Sequence, residues 1–99
     1  MKYLSLDLET FSSENLSKAG VYRYVQAPDF DILLISYAID GGEVQTIDLA
    51  QGEAIPLDLI STFLSDDVIK WAYNAQFERI CLSEWLKRKG YCLERPVPF

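Results

Sequence analysis

Lys2-Tyr3-Leu4-Ser5-Leu6-Asp7-Leu8-Glu9 alternates apolar and polar side chains without a break. A period of two places Leu4, Leu6 and Leu8 on one side and Tyr3, Ser5, Asp7 and Glu9 on the other, so the segment predicts a β-strand with one buried face. Downstream, residues 12–28 lack a period and are expected to be irregular or briefly helical, with Gly20 and Pro28 as breaks. Ile32 to Ile39 is an almost continuous apolar run, as expected for a strand covered on both faces. Asp40-Gly41-Gly42 then predicts a tight hairpin, since glycine accepts the positive φ such turns need, and Val44 to Leu49 returns as a third, antiparallel strand.

The second half changes period. Pro56 suits a helix start, and Leu57, Ile60, Phe63 and Leu64 fall on one helical face. Val68 to Tyr73 reads as a fourth strand. Asn74 is a good N-cap for a second helix over about 75–89, with Phe77, Ile80, Cys81 and Trp85 as its apolar stripe. Lys87, Arg88 and Lys89 complement the dipole of its last turn, and Gly90 ends it. The order β-β-β-α-β-α predicts one α/β domain, a mixed sheet flanked by helices, over residues 1–99.

Composition bounds the chemistry. With 99 residues, 49% of them apolar and 13% aromatic, the chain has material for one modest core and is not a disordered or low-complexity segment. No apolar run reaches the roughly 18–20 residues that span a bilayer, and Met1-Lys2 leads into a strand pattern and not a signal peptide, so a cytoplasmic protein without membrane attachment is expected. A net charge of −6 argues against a protein held to nucleic acid by a basic surface alone, but not against an enzyme whose carboxylates hold cations. The chain has no histidine, which removes Ser-His-Asp and Cys-His catalysis and most zinc sites. Its two cysteines, Cys81 and Cys92, flank the expected helix end and predict reduced thiols. Carboxylates, with a hard metal, are what remains.

Asp7 and Glu9 leave one face of a strand about 7 Å apart at the backbone, within reach of one Mg²⁺. Fifteen acids in 99 positions yield about two acid-x-acid pairs by chance, so the spacing alone says little. The other such pair, Asp29 and Asp31, reads as a solvated loop. Position sets Asp7 and Glu9 apart, at the end of an otherwise apolar strand. Glu78 lies in the first turn of the second helix, where the dipole alone would favour it, and Asn74 serves as a cap whether or not it does more. If the fourth strand runs beside the first, that helix start sits over the carboxyl ends of both, the usual ligand crevice of open α/β sheets, and Asp7, Glu9 and Glu78 converge.

Asp7-Leu8-Glu9-Thr10-Phe11 resembles the first motif of the DEDD 3′→5′ exonucleases, and Asn74-Ala75-Gln76-Phe77-Glu78 resembles their second. The wider run is similar to the amino-terminal exonuclease region of phage-type DNA polymerases. It includes Gly20-Val21-Tyr22-Arg23-Tyr24, Ala27-Pro28-Asp29-Phe30-Asp31-Ile32-Leu33 and Ile69-Lys70-Trp71-Ala72, and the resemblance covers about residues 1–86. It implies a ribonuclease H-like fold and a two-metal site for hydrolysing DNA phosphodiester bonds with Mg²⁺ or Mn²⁺, in which Asp7, Glu9 and Glu78 are catalytic residues and metal ligands. Thr10 and Phe11 would contact the terminal nucleotide of a single-stranded DNA 3′ end, Asn74 would orient substrate or cap its helix, and a polymerase domain would follow.

Two departures qualify that expectation. The second motif closes in glutamate where the family has aspartate. The third motif, a tyrosine or histidine four residues before an aspartate, has no counterpart after Glu78: Trp85, Tyr91 and Glu94 do not fit it. The expectation is therefore a shortened or partial domain that lacks its C-terminal elements and turns over negligibly by itself. The alternatives are a non-catalytic ribonuclease H-like module that binds nucleic acid or protein, and self-association through an exposed sheet edge. Tyr22, Tyr24 and Phe30, with Lys18 before them and Arg23 among them, read as anchors of a long loop in preference to a single-strand channel. Trp71 and Trp85 are expected in the core or on a surface left by the missing elements.

Overall fold

The computed structural model describes residues 2–91, 93 and 95–99; the expected Cys92 thiol lies outside the described residues, as do Met1 and Glu94. The strands are β1 (Lys2–Phe11), β2 (Asp31–Ile39), β3 (Gln45–Asp48) and β4 (Val68–Trp71). The helices are α1 (Leu16–Ala19), α2 (Val21–Gln26), α3 (Leu57–Leu64) and α4 (Ala75–Arg88), with a 3₁₀ turn at Leu49–Gln51. The sheet runs β3-β2-β1-β4, with β1 antiparallel to β2 and parallel to β4, and β2 antiparallel to β3. It is an α/β fold with a mixed sheet, and two short helices occupy the stretch between β1 and β2.

Alternation in β1 does what its sequence dictates. Leu4, Leu6 and Leu8 are buried among Ile35, Phe63, Cys81, Leu82 and Leu86, whereas Tyr3, Ser5, Asp7 and Glu9 are exposed. The hairpin forms as read: Asp40 (φ 52°) and Gly41 (φ 72°) both adopt positive φ, and Gly42 N–H donates to Ile39 O at 2.9 Å. Asp40 also ties the turn to β1, its Oδ1 accepting from Tyr3 N–H at 2.7 Å.

Four sequence expectations need correction. β2 is covered only in part on its second face: Ile32, Ile35 and Tyr37 are buried, while of the residues that share the face of Glu9 and Asp7, Leu34 and Ser36 are half-buried and only Ala38 is buried. In α3 the buried residues are Leu59, Ile60 and Phe63, and Leu57 and Leu64 are exposed. At 100° per residue the contact face is turned by roughly 60° from the expected stripe, which a helix of two turns can do without losing its central anchor Phe63. In α4 the stripe also takes in Leu82, Ser83 and Leu86, and Phe77 lies at its margin. Ser83 is buried because residues 95–99 lie along that flank: Val97, 1% exposed, donates its N–H to Ser83 Oγ at 2.9 Å.

β4 is two residues shorter than its sequence pattern and pairs only with Lys2 to Ser5. Beyond Ser5, β1 has no paired strand on that flank among the described residues. The chain turns there into α4, so the start of α4 stands beside the carboxyl-terminal half of β1.

Candidate functional site

β1 supplies Asp7 and Glu9, two residues apart on its exposed face. The β1–β2 ladder shifts register between Glu9 and Thr10, with Glu9 opposite Leu34 and Thr10 opposite Ile32. Such a bulge strengthens the local twist and re-aims the side chains after it. The extra residue is Leu33 of β2; Thr10, in phase with Leu8, faces inward and is half-buried, its Oγ1 2.8 Å from the Tyr24 hydroxyl. Phe11 closes the strand and is 52% exposed.

α4 supplies the third carboxylate. Asn74 caps the helix twice: its side-chain oxygen accepts from Phe77 N–H, and its carbonyl accepts from Glu78 N–H at 3.0 Å. The cap leaves Phe77 against the Tyr24 ring and turns Glu78 toward the sheet, where it is buried at 5% exposure. Glu78 Oε2 has no hydrogen-bond partner among the described residues. A buried, unpaired carboxylate oxygen is costly, and the cost appears in its acidity. Burial first, and the negative charge of Asp7 second, push the Glu78 carboxyl up to about 7. Burial and the nearby Glu78 push the Cys81 thiol, one helical turn on, to about 12, so it is an inert core group.

The structure thus brings Asp7 and Glu78, 71 positions apart in sequence, into each other's field. Glu9 shares the face of Asp7. Among the described residues no group of three or more His, Cys, Asp or Glu side chains is disposed to hold a metal ion. The donor chemistry nevertheless suits a hard cation: carboxylate oxygens only, one of them buried, unpaired and destabilised by a second negative charge.

Three further sequence readings resolve here. Tyr24 and Phe30 anchor the loop, their rings edge-to-face with centroids 5.9 Å apart and Phe30 buried, whereas Tyr22 is 60% exposed. Asp31 is not a loop acid. It opens β2, and its Oδ1 accepts from Trp85 Nε1–H at 2.8 Å and from Ile32 N–H at 2.9 Å. Trp85 therefore belongs to the core, and Trp71 to the exposed sheet face. The contribution of Tyr24 escaped sequence reasoning because nothing local pairs residue 24 with residues 10 and 77.

No family model matches the chain, and no solved structure matches it. Over 84 residues it is 56% identical to the DNA polymerase of Bacillus phage SP02, an alignment that takes in 85% of this chain and 13% of that protein. The chain thus spans about 13% of the length of this curated relative. Among the described residues no helix is long and apolar enough to cross a membrane.

Proposed function

We propose that the chain is the amino-terminal part of a 3′→5′ exonuclease domain of ribonuclease H-like fold in a phage-type DNA polymerase, hydrolysing phosphodiester bonds at a single-stranded DNA 3′ end. One observation carries the reading: Glu78, placed at the start of α4, is buried with an unpartnered oxygen in the field of Asp7. Isolated from cations this arrangement is strained, and a divalent ion relieves it. The parallel pairing of β1 with β4 supports the reading, since it sets the start of α4 beside the carboxyl end of β1. The similarity to a phage DNA polymerase supports the polymerase context.

Asp7, Glu9 and Glu78 would hold Mg²⁺ or Mn²⁺. When bound, such ions supply an activated water and neutralise charge developing on the phosphate. The chain's own residues do the rest. Asp7 and Glu9 present oxygens from a strand whose other face is buried through Leu4, Leu6 and Leu8. Glu78 adds a carboxylate whose proton leaves readily once positive charge arrives. The exposed Phe11 ring offers a stacking surface for a terminal base, an interaction worth about 1–3 kcal/mol. Thr10 stands at the bulge beside it, and the Asn74 side chain is committed to capping α4.

The test is thermal unfolding of the chain with and without Mn²⁺. A cation that binds only the folded state stabilises it by RT ln(1 + [L]/Kd), about 2.7 kcal/mol at a hundredfold excess over Kd. Stabilisation in the wild type that is lost in both D7N and E78Q is the expected result. In a longer polypeptide carrying this chain, Asp7→Ala should also abolish Mn²⁺-dependent shortening of 5′-labelled DNA. No Mn²⁺ effect on the wild type would leave a non-catalytic binding module in its place.

A further inference from the structure

We infer that Tyr24 is a positioning residue that joins the two carboxylate-bearing segments, fixing the end of β1 against the first turn of α4. The inference rests on the proposed metal-dependent site and adds to it a residue outside both motifs.

Four contacts carry it. The Tyr24 hydroxyl lies 2.8 Å from Thr10 Oγ1, the residue that follows Glu9 across the bulge. The Tyr24 ring lies 5.9 Å, centroid to centroid, from Phe77, the residue that precedes Glu78. On its other side the ring packs edge-to-face on buried Phe30, and Ser12 Oγ donates to Tyr24 O at 2.7 Å, so neither ring nor backbone is free to swing. One side chain therefore touches the immediate neighbours of Glu9 and of Glu78.

The strand needs such a tie at this place. β4 supports β1 only as far as Ser5, and the β2 ladder shifts register between Glu9 and Thr10. The segment carrying Asp7 and Glu9 is thus open on one flank and irregular at its end. Sites that share one ion between two elements need their donors held within about 0.5 Å, and residues behind the ligands supply that constraint. Losing such a support commonly weakens metal binding tenfold or more.

The experiment is a Mn²⁺ titration of the ¹⁵N-labelled chain followed by paramagnetic broadening of individual amide resonances. In the wild type, amides at Asp7, Glu9 and Glu78 should broaden together. Tyr24→Phe removes only the hydroxyl and Thr10→Val only its partner. Each should raise the Mn²⁺ concentration for half-broadening at both segments, by about tenfold. The double variant should go no further than either single, because both break one hydrogen bond. Thr10→Ser, which keeps the hydroxyl, should restore the wild-type midpoint, whereas a merely structural role would move the melting temperature and leave the midpoints in place. Thr10→Val reports on the same bond should Tyr24→Phe fail to fold. Unchanged midpoints in the folded single variants would overturn the inference and leave the metal site standing. A wild type without selective broadening at these carboxylates would overturn the metal site, and the inference with it.

Discussion

Replacing Glu78 by glutamine should stabilise the protein in neutral and alkaline solution and do little in acid. A glutamate with an ordinary pKa of 4.5 sits in a folded environment that raises it to about 7. Between those values the unfolded chain has released the proton while the folded chain retains it, so stability falls as pH rises through the window, and the full decrement from this one group is present above it. At about 1.4 kcal/mol per pH unit, the interval sets a ceiling of roughly 3.4 kcal/mol. Asp7, the second contributor, is exposed, so water screens part of the effect, and about 1.5–3 kcal/mol is the expected gap. For a domain of this size it corresponds to a difference in Tm on the order of 10 °C. The assay is urea or thermal unfolding of wild type and E78Q at pH 4 and pH 8.5. Because any cost of the amide itself is the same at both values, the comparison that matters is the slope. The wild type should weaken with pH and E78Q should stay flat, and Mn²⁺ at pH 8.5 should close the gap by stabilising the wild type alone. Parallel pH profiles for the two proteins would refute the assignment of Glu78 as a buried, unpaired acid.

Arg88 donates to Val25 O at 2.6 Å and Phe30 O at 3.3 Å and lies over the Phe30 ring, so it clamps α2 and the following loop to α4. Arg88→Met should cost about 1–3 kcal/mol in urea unfolding by orphaning those carbonyls. Ser83→Ala removes the acceptor of the buried Val97 N–H and should cost about 1–2 kcal/mol in the same assay, with residues 95–99 becoming more open to proteolysis. The two tryptophans should separate in acrylamide quenching: W85F leaves the exposed Trp71, readily quenched, and W71F leaves the buried Trp85, protected until the protein unfolds.

Much of the fold was legible because local physics was enough to specify it. The alternation of residues 2–9 defined both the strand and its buried face, since the pleat period admits no other assignment of Leu4, Leu6 and Leu8. Asp40-Gly41 determined the hairpin, because few other pairs adopt positive φ twice, and Asn74 fixed the start of α4 through a cap formed within three residues. These are statements about neighbours in the chain. Where a helix face was shared by many apolar residues, as in α3, the pattern fixed the helix and left its rotation to the packing around Phe63.

Only the tertiary structure decided what depends on distant segments meeting. The sequence offered Asp7 and Glu78 as candidates whose meeting hung on whether β4 lies beside β1. That they act on each other follows from β4 lying parallel to β1 and stopping at Trp71, which turns α4 onto the open flank of the strand. Asp31 read as a loop acid until the fold set the Trp85 indole 2.8 Å from it. Tyr24 read as a loop anchor, and it is one, yet its bond to Thr10 and its ring against Phe77 tie the two motifs together. The physical reason is common to all three. Hydrogen bonds and charge act over a few ångströms, and which groups stand that close is settled by the crossing of elements, a property that no local period or spacing encodes.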